Sequence, residues 1–411
     1  MPALHFSCAL RSSPSLRFRV WCLAAVAGLT VGQYLPEWLV WPGMGAGVVV
    51  WFFCGPMSSG RFLAVAALLF WLGVWRSFGA DFFLPDTLFT GMKEAWESRL
   101  VSFLPPDVAS LITGMAIGQA SSMAKATKDL FRATGTAHIM VVSGYNVGVT
   151  ATAVSTILRF LGLPRRKTFL IVGGSMVAFA VFVGSQAPVL RAAVMGVFLI
   201  WARASGRKAD TTNVFLFGMA CLLALAPSEQ FSFSFLLSFA AVAGLLWLSP
   251  SIDAMLTELP VFRSLPNMVR SGLSDSTAAT LTTLPITVGS FGTLPLLAPV
   301  INAIIAPLVP LTTLLGAVLI VVASVVPDVV LPYLFPIAAP AYLLLALVEW
   351  GASWPGQLTG GVFPAWAGAA WYALLVLWVT RVQVQPSCQA RPDRLHCRQH
   401  SPVFPRYGTH S

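Results

Sequence analysis

Polar groups interrupt this sequence where an apolar helix is expected to run. Residues 138–149 read His138-Ile-Met-Val-Val-Ser143-Gly144-Tyr145-Asn146-Val-Gly148-Val. On a helix starting at His138, Ser143 and Asn146 share one face, and Gly144 with Gly148 makes a Gly-x-x-x-Gly surface on which a neighbouring backbone can close. Two readings stay open: hydrogen-bonded glue between helices, or a polar lining or unwound point in a pore. In both, the polar atoms face the bundle interior. A serine hydrolase would need a base beside Ser143. His138 is five residues away, about 500° of helix, which turns the two side chains about 140° apart. No Gly-x-Ser-x-Gly elbow, His-x-His-x-Asp cluster or phosphate loop is present. Catalysis is therefore not expected.

Arg191 stands inside the apolar run Gln186-Ala-Pro-Val-Leu-Arg191-Ala-Ala. An arginine at mid-membrane costs about 2.5–3.5 kcal/mol on insertion scales, which marks a functional candidate. The alternative is that it snorkels outward to the loop just before it. Two further stretches are polar and punctuated by proline or glycine: Ser232 to Ser238, leading to Gly244, and residues 276–307, with Thr277, Thr280, Thr282, Thr283, Pro285, Asn302 and Pro307. Broken helices of this kind mark substrate paths in transporters. The candidate path is thus lined by His138, Ser143, Gly144, Asn146, Gln186, Arg191, Ser238 and Asn302.

The elements that must hold these residues are membrane helices. Of 411 residues, 57% are hydrophobic and only 10% charged, and the mean hydropathy is +0.79. Soluble domains carry about 25% charged residues. Apolar runs fall at 20–36, 38–54, 62–78, 138–161, 168–185, 187–203, 213–227, 231–248, 294–327, 332–350 and 362–380, with a mixed segment at 272–291. The run at 294–327 is too long for one straight span and is cut by Pro299, Pro307 and Pro310. This predicts an all-α polytopic integral membrane protein with about 12 transmembrane helices, within a range of about 11–13.

Loop charges predict the orientation. Arg11, Arg17 and Arg19 place the N-terminus in the cytoplasm, and the basic loops at Arg61, 165–167, Arg203 to Lys208 and Arg263 to Arg270 follow the same side. Arg381 and the tail arginines put the C-terminus there too. The net charge of +10 is then largely a topology signal. The first apolar run reads as a helix rather than a cleaved leader. The expected organisation is three N-terminal helices over 1–79, an external segment over 80–137, a membrane core over 138–382 and a disordered cytoplasmic tail over 383–411.

The external segment holds a basic surface helix predicted from Ser122 to Thr134, capped by Ser121 or Ser122 and closed at Gly135. Lys125, Lys128 and Arg132 share one face, with Asp129 beside them. They would contact either lipid headgroups or the phosphates of a ligand. Among six cysteines, Cys22, Cys54 and Cys221 read as packing residues. Cys388 and Cys397 with His396 and His400 match no zinc spacing. No metal and no cofactor is expected.

Four signatures in order make the chain resemble the ComEC family of competence proteins, DNA channels of the inner membrane. They are Gly135, His138, Ser143 and Gly144; Val189-Leu190-Arg191-Ala192 with the basic loop from Arg203 to Asp210; Leu237 to Gly244; and Leu284-Pro285, Phe291-Gly292, Asn302 and Pro307. Together they cover roughly residues 105–330. The family usually has Ser-Gly-Leu-His where this chain has Ser143-Gly144-Tyr145-Asn146. It often has Gly-Asp at Gly118-Gln119 and commonly Gln at Leu236. Neither the family's OB-like domain nor its metallo-β-lactamase-like domain is expected in this chain.

The resemblance implies an inner-membrane channel that passes single-stranded DNA into the cytoplasm during natural transformation. Lys125, Lys128 and Arg132 would receive phosphates at the outer mouth. The implied partners are single-stranded DNA, the lipid bilayer, separate motor and DNA-processing proteins, and further copies in a homo-oligomer. The alternatives are a transporter of a smaller anion on the same bundle and, third, an intramembrane serine hydrolase.

Overall fold

The computed structural model describes residues 13–53, 59–79, 89–184, 187–204, 210–228, 232–354, 357–359 and 364–384. Gln186 and the tail with its Cys/His cluster lie outside the described residues. Within them the protein is helical but for one two-stranded pairing.

Among the described residues the first helices are α1 (Pro14–Val31), α2 (Val40–Phe53) and α3 (Ser59–Ser77). The Ser13 hydroxyl accepts from the Leu16 N–H, and Pro14 follows at the first helical position, so the start of α1 is doubly specified. α1 and α3 pack through small residues. A Cβ at Gly28 would stand 1.9 Å from the Phe70 carbonyl oxygen, so only glycine lets these backbones meet.

Next come α4 (Thr90–Val101), α5 (Pro106–Ile117) and α6 (Lys125–Ala133). They occupy the stretch expected outside the membrane. Every residue of α5 from Val108 to Ile117 is buried, and α5 lies in the largest apolar cluster with Ile305, Leu319 and Leu344.

The following helices are α7 (Gly144–Phe160), α8 (Arg165–Val183), α9 (Ala187–Ala204), α10 (Thr211–Leu225) and α11 (Phe233–Trp247). Asp210 caps α10 by accepting from the N–H groups of Thr212 and Asn213, and it also pairs with Arg19 of α1 at 2.7 Å. α11 bends by 47° into α12 (Ser249–Glu258). The short α13 (Pro260–Arg263) leads to α14 (Asn267–Phe291), which contains Pro285 and ends at left-handed Gly292.

The 294–327 run divides into three pieces. β1 (Thr293–Pro295) pairs antiparallel with β2 (Gln357–Thr359), Leu294 opposite Leu358. α15 (Ala298–Ile305) and α16 (Leu308–Val325) follow, broken at Pro307. A 3-10 stretch, Asp328–Ala338, runs into α17 (Ala339–Ala352), and α18 (Ala365–Val384) closes the described chain. α18 thus continues two residues past the predicted core boundary.

The helices fall close to the predicted runs, but span length is scarcer than expected. Among the described residues four helices are long and apolar enough to cross a membrane: Pro14–Tyr34, Arg165–Val183, Leu308–Val325 and Asp328–Ala352. The bent pair α11–α12 makes a fifth. Val40–Val50, Phe62–Ser77, Pro106–Ile117, Pro188–Ala202 and Thr211–Leu225 are apolar but shorter. At about 1.5 Å per residue such helices fall short of a hydrocarbon core of about 30 Å. The expected count of about twelve therefore exceeds the helices that meet both criteria.

Candidate functional site

Arg191 is the fifth residue of α9 and points into a three-helix junction. Its Nη1 donates to the Ser238 hydroxyl on α11, and its guanidinium carbon lies 5.8 Å from the centre of the Phe239 ring. A Cβ built on Gly144 of α7 would stand 3.2 Å from Nη2 and 3.3 Å from the Ala192 Cβ. Glycine at 144 therefore makes room for the guanidinium. Among the described residues no carboxylate pairs with Arg191. The structure thus brings three predicted site residues together: Gly144, Arg191 and Ser238.

The start of α7 adds to the same charge. Ser143 is its N-cap, in extended conformation, and its side chain makes no capping bond. The first N–H groups of a helix lack intrahelical acceptors and carry the positive end of the helix dipole. A guanidinium beside such an end is a like-charge arrangement, which an anion relieves.

The reading of residues 138–149 as one helix is corrected here. His138 sits exposed in a 3-10 turn (Ala137–Ile139), irregular backbone follows, and α7 begins only at Gly144. Ser143 is outside the helix and shares no helical face with Asn146, and the helical angle between His138 and Ser143 no longer applies. The Gly-x-x-x-Gly surface is half used, since nothing lies within 4 Å of a Cβ at Gly148. The physical cause is Gly114 of α5. A Cβ there would stand 2.2 Å from the Met140 carbonyl oxygen, so the chain at Met140 lies directly against α5.

Asn146 and Asn302 serve other contacts. Asn146 is 1% exposed, and its Nδ2 donates to the Met115 carbonyl at 3.0 Å. Asn302 Nδ2 donates to the Ser276 hydroxyl at 3.1 Å, joining α15 to α14. The Oδ1 atom of each is buried without a partner. These are ties between helices rather than members of the Arg191 junction.

The basic helix is shorter than predicted and is capped from elsewhere. It begins at Lys125 because Asp107 of α5 accepts from the Ala124 N–H at 2.8 Å and the Thr127 hydroxyl at 2.7 Å. Gly135 is left-handed as expected, with φ 71°. Lys125 and Arg132 are exposed and Lys128 is half-buried. Arg132 pairs with Asp129 at 2.8 Å, so part of the ridge is neutralised.

Ser121 and Ser122 serve Glu97 of α4 instead of capping. Glu97 is 2% exposed. It accepts from the Ser110 hydroxyl at 2.6 Å, the Ser122 N–H at 2.9 Å, and the Ser121 hydroxyl and N–H. Burial pushes its carboxyl up, but these hydrogen bonds outweigh burial and hold it below the ordinary carboxylate value. On the same helix Lys93 Nζ donates to the Val183 carbonyl at the end of α8, at 2.7 Å. Arg99 donates to the Ala323 and Val326 carbonyls at the end of α16 and pairs with Asp328. Sequence patterns did not single out this helix as an anchor. The signal was present: Lys93, Glu97 and Leu100 recur at i, i+4 and i+7, one buried face that mixes charge with leucine.

Apolar helices of spanning length, with polar and cationic groups held between them, define a helical membrane protein. The model of the Competence protein family matches residues 115–385. The chain belongs to that family, as its four ordered signatures predict. It is similar to Uncharacterized protein YcaI of Escherichia coli (strain K12), 29% identical over 283 residues, which are 66% of this chain and 36% of that protein. It is also similar to ComE operon protein 3 of Bacillus subtilis (strain 168), 27% identical over 218 residues, 53% of this chain and 27% of that protein. The chain thus spans 36% or less of the length of these curated relatives. No solved structure matches it.

Proposed function

We propose that this chain is an inner-membrane channel module that passes single-stranded DNA into the cytoplasm during competence. The observation that carries the reading is Arg191. It is a cation inside a helical bundle, with no carboxylate partner among the described residues and with the capless start of α7 beside it. A phosphate backbone needs spaced cations and a polar groove, and a sparse set lets the strand move on. Exposed Lys125, with Lys128, would meet phosphates before the junction does. Membership of the Competence protein family supports the role, as does similarity to ComE operon protein 3. On this reading both termini are cytoplasmic, no bond is made or broken by the chain, and a separate motor and DNA-processing proteins act with it.

The test is entry of labelled DNA into the cytoplasm of a deletion strain complemented with variants. Arg191→Ala is expected to lower entry about tenfold or more, since a hydrogen bond to a charged group is worth about 1.5–3 kcal/mol. Arg191→Lys keeps the charge and is expected to retain part of it. Unchanged DNA entry in the deletion strain, with no second copy present, overturns the channel reading.

One observation favours a second reading, transport of a smaller anion. The basic ridge is partly neutralised by the Arg132–Asp129 pair, whereas Arg191 is not paired with a carboxylate. On that reading a Lys125→Ala, Lys128→Ala double variant transports normally. On the DNA reading it loses entry, most strongly at raised salt.

A further inference from the structure

Four cations crowd the turn between α7 and α8. Arg159 stands in the last turn of α7, and Arg165, Arg166 and Lys167 open α8. All four are exposed, and among the described residues no carboxylate pairs with any of them. Arg159 donates to the Ser155 carbonyl and the Thr156 hydroxyl of its own helix. The chain supplies no acid nearby: between Asp129 and Asp210, a stretch that holds α7, α8 and α9, there is no Asp or Glu. α16, which also packs on α7, has none either. Asp210 itself is paired with Arg19 at 2.7 Å.

The turn is built to hold its shape. Gly162 is left-handed, with φ 72°. The Leu163 N–H donates to the Leu158 carbonyl at 3.1 Å and the Gly162 N–H to the Arg159 carbonyl at 3.0 Å, so the last carbonyls of α7 are closed off. Apolar side chains share the turn with the cations. Phe160 is 91% exposed and Leu161 63%, which is unfavourable against water. The span Arg165–Val183 begins at the same place. The turn therefore lies at a membrane–water boundary, where apolar side chains enter the acyl layer and cations on long stems reach the phosphates.

We propose that the α7–α8 turn binds an anionic glycerophospholipid, with phosphatidylglycerol chemistry. The phosphate would lie among Arg165, Arg166 and Lys167 with Arg159 across the turn, and the acyl chains would run beside Phe160 and Leu161. Charge complementarity chooses the headgroup. Four cations without an acid match a net negative charge, whereas the ammonium of a zwitterionic lipid would meet only like charge. The exposed apolar side chains choose lipid over nucleic acid, because a strand in water leaves them hydrated and one ring is not a row of stacking platforms. Gly144 and Arg191 lie at the other end of α7, which is 17 residues long, about 25 Å at the helical rise. The proposal rests on the membrane class of the protein and not on the DNA reading.

The experiment is native mass spectrometry of the full chain purified in detergent. It is supplied in turn with phosphatidylglycerol, phosphatidylethanolamine and a short single-stranded oligonucleotide. Phosphatidylglycerol is expected to be retained at least several-fold over phosphatidylethanolamine, and an Arg165→Gln, Arg166→Gln, Lys167→Gln variant to lose most of that preference. Loop cations also orient helices during insertion, so a second measurement uses the wild type alone. Hydrogen exchange over residues 159–167 is compared in nanodiscs of each lipid, and slower exchange in phosphatidylglycerol is the expected result. Equal retention of the two lipids overturns the proposal, as does wild-type preference in the triple variant or equal exchange in the two nanodiscs. Displacement of phosphatidylglycerol by the oligonucleotide overturns it in favour of a nucleic-acid site.

Discussion

Arg191 and Glu97 are charged side chains held in opposite ways. Glu97 is met by four donors from three serines, whereas Arg191 has one hydroxyl and an aromatic ring. The first is a structural charge, and on the proposed function the second is the one that meets a ligand. Glu97→Ala should therefore lower stability, because the buried Ser110 hydroxyl left unpaired costs about 1–3 kcal/mol. The pH dependence has a definite sign. The folded-state carboxyl is depressed, so its stabilisation is complete at neutral pH and is lost as pH falls below the ordinary glutamate value of about 4.3 and through the folded value. Thermal melting of the wild type should fall across that acid window, and Glu97→Gln should flatten this component. Gly144→Ala tests the junction differently. Its Cβ would press on the Arg191 guanidinium at 3.2 Å, so on the proposed function DNA entry should fall, with a stability cost of about 1–3 kcal/mol, the usual cost of adding a methyl to a packed site.

At the scale of elements, helix ends are fixed by side chains from other helices. α6 starts where Asp107 of α5 meets it, and the ends of α8 and α16 are met by Lys93 and Arg99 of α4. Cations at helix C-termini and carboxylates at N-termini also suit the helix dipoles. Asp107→Ala should fray the start of α6 at a cost of about 0.5–2 kcal/mol, the usual worth of a capping side chain. Hydrogen exchange over residues 124–128 reads this directly: faster exchange confined to that turn is the expected result. α1 and α3 depend instead on close backbone contact. Gly28→Leu puts a side chain where the Phe70 carbonyl lies, so it should separate the pair and reduce the yield of folded protein on size-exclusion chromatography.

Across the whole molecule, the family match at 115–385 leaves out elements that the apolar core needs. Cys22 and Leu29 of α1 share a cluster with Phe215, Leu223 and Phe239. Leu104, Leu111 and Ile112, in and before α5, share the largest cluster with Leu319 and Leu344. The fragment 115–385 alone should therefore aggregate in detergent where the full chain is monodisperse, because both clusters lose a wall.

The sequence by itself determined the helical class, the positions of most helices and the family, because these rest on composition, apolar periodicity and motif order, all local properties. It also marked Gly144, Arg191 and Ser238, since charge and small or polar residues are conspicuous in apolar runs. Only the tertiary structure decided which of them meet. Asn146 and Ser143 looked like one polar face, and Asn302 like part of the same path. Close contact of the Met140 carbonyl with Gly114 goes with a late start of α7, which turns Asn146 toward Met115 and leaves Ser143 at the N-cap position with no side-chain capping bond. The role of Glu97 was equally out of reach, because its serine partners lie up to 25 residues away. Long-range packing of α5 sets both outcomes, and pairing between distant segments leaves no periodic trace along a chain.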